Sequence, residues 1–285
     1  MQQKAMVIAF HCSGANATQW RPLTAEIGDE FDVVAPEHIG CQSRGNWHGQ
    51  TAFSLASEAK PTIELIDQLS APVHIVGHSY GGAVALHLAM LRPEMVASLS
   101  LYEPCAFYLL EQLGDKGRAA RDEISAIANQ VASFVSSGNY RAAAETFVEY
   151  WNGPGSWDAM HNKVQNALVN WTPKAPLDFH ALFHEPATLA DMANLNVPIL
   201  IMRGQHAPLS TRTISVALSS ILPSSRLEIV NGAGHMGPLT HSEAVSQLIA
   251  DHIRASDAAT ASLKQDKTKW WRFGGSNTQS WKLAS

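Results

Sequence analysis

The sequence predicts an α/β fold: a mostly parallel sheet of about six strands with helices on both faces and a helical cap inserted into it. Three observations carry this expectation. Short apolar, β-branched runs alternate with runs of helix formers over most of the chain. One such strand, beginning at Val73, passes into an Ala- and Leu-rich helix through a turn of a few residues. From 106 to 190 the strands stop and helical periodicity takes over.

In order, Lys4 to Phe10 reads as the first strand, 18–27 as a helix, and 31–35 as the second strand. A glycine- and histidine-bearing loop, Pro36 to Gly49, leads to a helix over 54–69. A strand at 73–77, a helix at 81–91 and a strand at 96–102 follow. This alternation calls for parallel strands joined by crossover helices. The helical block consists of Arg121 to Ser136, Tyr140 to Trp151, Ser156 to Asn170 and Leu177 to His184. Gly138, Pro154, Gly155, Pro173 and Pro176 separate the pieces. Val197 to Arg203 and Ser225 to Val230 resume the strands. The expected organisation is a core of 1–105 and 191–255, a cap of 106–190 over the mouth of the site, and a tail of 256–285. That tail carries Trp270, Trp271 and Trp281. It reads either as a non-native extension or as a segment that docks its Trp-Trp-x-Phe cluster.

The chemistry is concentrated in Gly77-His78-Ser79-Tyr80-Gly81-Gly82. A serine at the apex of a strand–turn–helix is forced into a strained backbone, and glycines flank it where a Cβ would strike the neighbouring strand or helix. Its hydroxyl stands above the sheet beside the first N–H groups of a helix, which favour negative charge. Serine is a poor nucleophile at neutral pH, so it needs a base, and the base needs an orienting acid. His235, in the turn Asn231-Gly-Ala-Gly-His235 behind the last strand, is the best-placed base among thirteen histidines. His78 lies beside Ser79 and is expected to point sideways, while His74 and His87 sit inside predicted elements as packing residues.

With Gly77-x-Ser79-x-Gly81 and His235 in these positions, the chain resembles the α/β-hydrolases over roughly residues 5–255. In most members the acid follows the next-to-last strand, in a Gly-x-x-Asp pattern. Here that stretch reads Gly204-Gln-His-Ala207, and an alanine cannot do the work. A second location used in the family follows the strand after the nucleophile helix, and there stands Glu103. The resemblance therefore implies a triad of Ser79, His235 and Glu103, although a charged residue at a strand end is also common in itself. It further implies an oxyanion hole from the backbone N–H groups of Tyr80 and of Ser13, in the loop His11-Cys12-Ser13-Gly14. Relatives have glycine where this chain has Cys12. The antiparallel hairpin many members carry ahead of the first strand is not expected.

Composition suits a compact enzyme. The chain is 46% hydrophobic, enough to bury a large core, with a formal net charge of −5. No Lys/Arg patch stands out, which argues against a nucleic-acid partner. Three scattered cysteines (Cys12, Cys41, Cys105) argue against a disulfide framework and for a reducing, cytoplasmic setting. No signal-like segment or membrane-length apolar run is read. His180 and His184 have metal-binding spacing but no evident third ligand, so neither metal nor cofactor is expected. The expectation is a carboxylesterase for small soluble esters, with a homo-oligomer left open. A carbon–carbon bond hydrolase of ring-cleavage products, a lactonase or perhydrolase, and a low-turnover ligand-binding protein are the alternatives.

Overall fold

The computed structural model describes residues 4–41 and 44–273, with side chains described as far as Ala259. Six parallel strands form one sheet in the order β2-β1-β3-β4-β5-β6. They are β1 (Met6–Phe10), β2 (Asp32–Val34), β3 (Val73–His78), β4 (Val96–Tyr102), β5 (Ile199–Gly204) and β6 (Ser225–Val230). Helices α1 (Arg21–Ile27), α2 (Leu55–Ile66) and α3 (Tyr80–Leu91) cross between the early strands. Between β4 and β5 come α4 (Tyr108–Gln112), α5 (Asp115–Ser136), α6 (Tyr140–Asn152), α7 (Ser156–Ala159), α8 (Asn162–Trp171), α9 (Ala175–Phe183) and α10 (Leu189–Ala193). The chain closes with α11 (Leu209–Ile221), α12 (Gly237–Thr240) and α13 (Ser242–Phe273).

Successive strand residues point to opposite faces, and both faces are covered. Ile8, Phe10, Ile75, Leu99 and Ile201 pack with α2, α3 and α11. Val7, Ala9, Val76, Tyr102 and Met202 pack on the other side, with Leu23 and Ile27 of α1 and Ile249 and Ile253 of α13. Helix α3 is buried on nearly every side, from Tyr80 through Ala89, which explains a sequence with no polar stripe. The helix that begins directly after Ser79 is thereby packed in the middle of the molecule.

The sequence expectations need three corrections in the helical region. The helix expected from Arg121 starts at Asp115, because Gly114 (φ 57°) ends the preceding turn and Lys116, Arg118, Ala119 and Ala120 are good helix formers that carry Gly117 with them. The helix expected over 156–170 is broken at Met160 and His161, where the backbone is extended and the His161 side chain caps α8. The boundary placed at 255/256 falls inside α13, which runs on to Phe273. The side chains of Trp270 and Trp271, and Trp281 altogether, lie outside the described residues. Among the described residues no helix is long and apolar enough to cross a membrane.

Two buried histidines lie where α13 covers the sheet. His74 of β3 bonds the Ser98 hydroxyl through Nδ1 at 2.8 Å, and burial lowers its pKa to about 4. Burial, helped by Arg226, lowers that of His252 on α13 to about 4 as well. The unfolded chain binds these protons near pH 6.5, so between pH 6.5 and 4 the unfolded state holds more protons and stability falls as pH falls. Each histidine costs about 2 kcal/mol between pH 7 and 5 on this linkage. A His74→Asn variant should therefore lose about 2 kcal/mol less than wild type over that interval in urea denaturation. An equal loss in both proteins contradicts the assignment.

Candidate active site

Strand β3 ends at His78, helix α3 begins at Tyr80, and Ser79 between them has φ 58° and ψ −119°. Ser79 and Glu103 (φ 42°) are the only non-glycine residues with positive φ among those described. L-residues rarely hold such conformations unless the surroundings impose them. The surroundings do so here. The Ser79 N–H donates to Tyr102 O at 3.0 Å, and its carbonyl accepts from Gly82 and Ala83 at 3.0 and 3.1 Å. A Cβ on Gly77 would lie 2.5 Å from Gly81 O, and one on Gly81 would lie 2.3 Å from His11 O. Only glycine admits this crossing of strand, turn and helix.

His235 follows β6 on its glycine turn and is 2% exposed. Its Nε2 lies 2.8 Å from Ser79 Oγ, and its Nδ1 lies 2.7 Å from Glu103 Oε2. Glu103 is fully buried, and its carboxylate accepts the Gly204 N–H at 2.9 Å and the Thr211 hydroxyl at 2.7 Å. An acceptor-only carboxylate assigns the proton to Nδ1 and leaves the Nε2 lone pair for the serine hydroxyl. Three further contacts hold the turn and the ring of His235. His78 Nε2 bonds His235 O at 2.8 Å, the Tyr102 hydroxyl donates to Gly234 O at 2.8 Å, and the Trp151 ring stacks on His235 with centroids 4.0 Å apart. His78, expected to point sideways, thus braces the turn that carries His235. Ala207 sits buried at the family's usual acid position and offers only a methyl group.

Cys105 Sγ lies 3.3 Å from Ser79 Oγ, but burial pushes its pKa far above the usual thiol range. Burial likewise pushes Cys12 up to about 12. Neither thiol is a competing nucleophile at neutral pH, since the thiolate is the reactive form.

Ser13, Ser79 and Tyr80 face one cavity, walled otherwise by Cys105, Phe107, Phe147, Trp151, Ala175, Asp178, Phe179 and Leu182. Tyr80 is the first residue of α3, so its N–H is one of the four that a helix leaves without an internal acceptor. Ser13 stands on the loop behind β1, where the Cys12 N–H donates to Gln19 Oε1 at 3.2 Å and Gly14 turns the chain with φ 73°. The loop therefore reaches the cavity despite Cys12 in place of the relatives' glycine. The space between the lining atoms, part of it open to solvent, is about 250 Å³.

Sequence reasoning missed Thr211 and the Gly204 N–H as partners of Glu103, Trp151 as a partner of His235, and the buried ions Glu58, Lys174 and Asp178. The Lys174–Asp178 pair has the four-residue spacing of a helical ion pair and is readable from sequence, whereas the others act across tertiary contacts with no local signal. His180 and His184 stack with centroids 4.2 Å apart, and among the described residues no metal-sized cluster includes them. The cluster that does form is His11, Glu37 and Cys41, with ligand atoms within 4.8 Å of one another. Its members are already engaged: His11 Nε2 with Glu37 Oε2 at 3.2 Å, and Cys41 Sγ with Ala15 O at 3.8 Å. Hydrogen bonding from His11 is the main reason Glu37 is lowered to about 2.

Comparison with known proteins gives the family. Over 266 residues the chain is 23% identical to a putative carbamate hydrolase RutD of Stutzerimonas stutzeri, covering 84% of this chain and 88% of that protein. Over 255 residues it is 27% identical to a pimeloyl-[acyl-carrier protein] methyl ester esterase of Neisseria meningitidis, covering 87% and 92%. A thermophilic esterase from Thermogutta terrifontis superposes with a TM-score of 0.71 at 21% identity, over 90% of this chain and 92% of that one. Residues 7–248 match the model of the alpha/beta hydrolase family. The chain belongs to the alpha/beta hydrolase family and is, at that level of description, a hydrolase.

Proposed function

We infer that the protein is a serine hydrolase that cleaves small carboxylic esters through an acyl-enzyme. One observation supports this above all: the unbroken hydrogen-bond chain from Glu103 through His235 to Ser79, ending at an apolar cavity. His235 Nε2 takes the proton as Ser79 Oγ attacks the ester carbonyl, and Glu103 stabilises the imidazolium. The oxyanion forms against the N–H groups of Tyr80 and Ser13. The alcohol departs with the proton from His235, and water then repeats the sequence on the acyl group. Because the cavity walls are mostly apolar, an apolar acyl group suits them.

The test is pre-steady-state turnover of short p-nitrophenyl esters with mass analysis of the protein. The expected result is a burst near one equivalent and an acyl adduct on Ser79, both lost in Ser79→Ala. Hydrolysis that persists in that variant contradicts the role of Ser79. No hydrolysis of any ester by wild type moves the protein to carbon–carbon cleavage or to ligand binding.

A further inference from the structure

Behind the cavity runs a buried line of polar contacts that the proposed chemistry does not use. The Ser13 hydroxyl donates to Asp178 Oδ2 at 2.7 Å, and Asp178 Oδ1 lies 2.9 Å from Lys174 Nζ. The same ammonium lies 3.2 Å from Glu58 Oε2, which also accepts the Tyr80 hydroxyl at 3.0 Å. Glu58 Oε1 accepts the Ile39 N–H at 2.8 Å. All three charged side chains are less than a tenth exposed. Lys174 also stands 4.8 Å from the Tyr80 ring centroid. The line starts on Ser13 and finishes on Tyr80, the two residues whose backbone N–H groups are read as oxyanion donors.

The members come from different layers. Glu58 is on α2 in the sheet layer, while Lys174 and Asp178 come from the helical insertion, at and just after the turn that opens α9. Burial alone would lower the Lys174 pKa, but the Asp178 and Glu58 carboxylates outweigh it and hold it raised, while burial raises that of Asp178 itself. Buried ion pairs of this kind rarely add stability over an apolar filling. They do fix geometry, and oxyanion donors must be held to within a fraction of an ångström to act.

We propose that Glu58, Lys174 and Asp178 are positioning residues, a buried ionic strap by which the helical insertion holds Ser13 and Tyr80 at the spacing an oxyanion requires. On this reading the oxyanion hole is complete only while the insertion is seated. The inference rests on the serine-hydrolase reading above.

The experiment is a double-mutant cycle on Asp178→Asn and Ser13→Ala, with Tyr80→Phe as a milder variant that deletes one hydroxyl from the other end. With a p-nitrophenyl ester, each variant is expected to lower kcat by about 10- to 100-fold with KM within about threefold. A trifluoromethyl ketone, which mimics the tetrahedral species, should lose affinity in step with kcat. Asp178→Asn and Ser13→Ala combined should be no worse than the poorer single change, since both cut one link. Folded variants with wild-type kcat, a loss confined to KM, or multiplicative effects in the cycle overturn the strap. If Asp178→Asn does not fold, Tyr80→Phe decides alone by the same kcat and inhibitor readouts. Ser79→Ala separates the two readings: turnover surviving there refutes the hydrolase mechanism, whereas its loss beside unaffected strap variants refutes only the strap.

Discussion

Glu103→Gln is expected to lower kcat by about 10⁴-fold while the protein stays folded. The amide has the shape of the carboxylate, and its oxygen can still accept the Gly204 N–H. Its NH₂ group then falls where Oε2 stood, 2.7 Å from His235 Nδ1, and donates where the carboxylate accepted. The imidazole must carry its proton on Nε2 instead, pointing at Ser79 Oγ, and loses its ability to take the serine proton. The Thr211 hydroxyl can turn to accept from the amide, so no buried group is left unpaired and stability should hold. Steady-state kinetics with circular dichroism measures both effects. Turnover within about tenfold of wild type would remove Glu103 from the mechanism.

Gly81→Ala should act on the fold itself. The new methyl would stand 2.3 Å from His11 O, 2.5 Å from Phe10 O and 2.6 Å from Phe10 C, all backbone atoms at the end of β1. No rotamer relieves such a contact, so either α3 or the end of β1 must move. Overpacking of this severity should cost at least about 3 kcal/mol. The displaced segment leads directly into Ser13, so turnover should fall even in the molecules that remain folded. Urea denaturation and kcat on the same preparation test this. Wild-type stability would show that the crossing is looser than these distances require.

Much of this was legible before any coordinates. The turn at Ser79 is dictated by residues within a few positions of it, since glycine spacing, the preceding β-branched run and the following Ala/Leu run are all local. His235 was found the same way, from a glycine-rich turn behind a strand. Glu103 was legible only through a departure: Ala207 left the usual position empty of a carboxylate, and a second strand end carried one. The break between α7 and α8 and the early start of α5 were not legible. At Met160 and His161 no proline or glycine marks the break, and at Asp115 no capping side chain announces the start.

The sequence alone determined the order of strands and helices and which residue types stand at the strand ends, because backbone sterics and apolar periodicity act over a few neighbours. Tertiary structure alone decided what surrounds those residues. Trp151 against His235, Thr211 against Glu103, and the line from Ser13 to Tyr80 through Asp178, Lys174 and Glu58 join side chains up to 165 positions apart. Apart from the Lys174–Asp178 pair, four positions apart, such contacts depend on how the helical insertion settles over the sheet, a packing outcome that no local pattern of charge or hydrophobicity encodes.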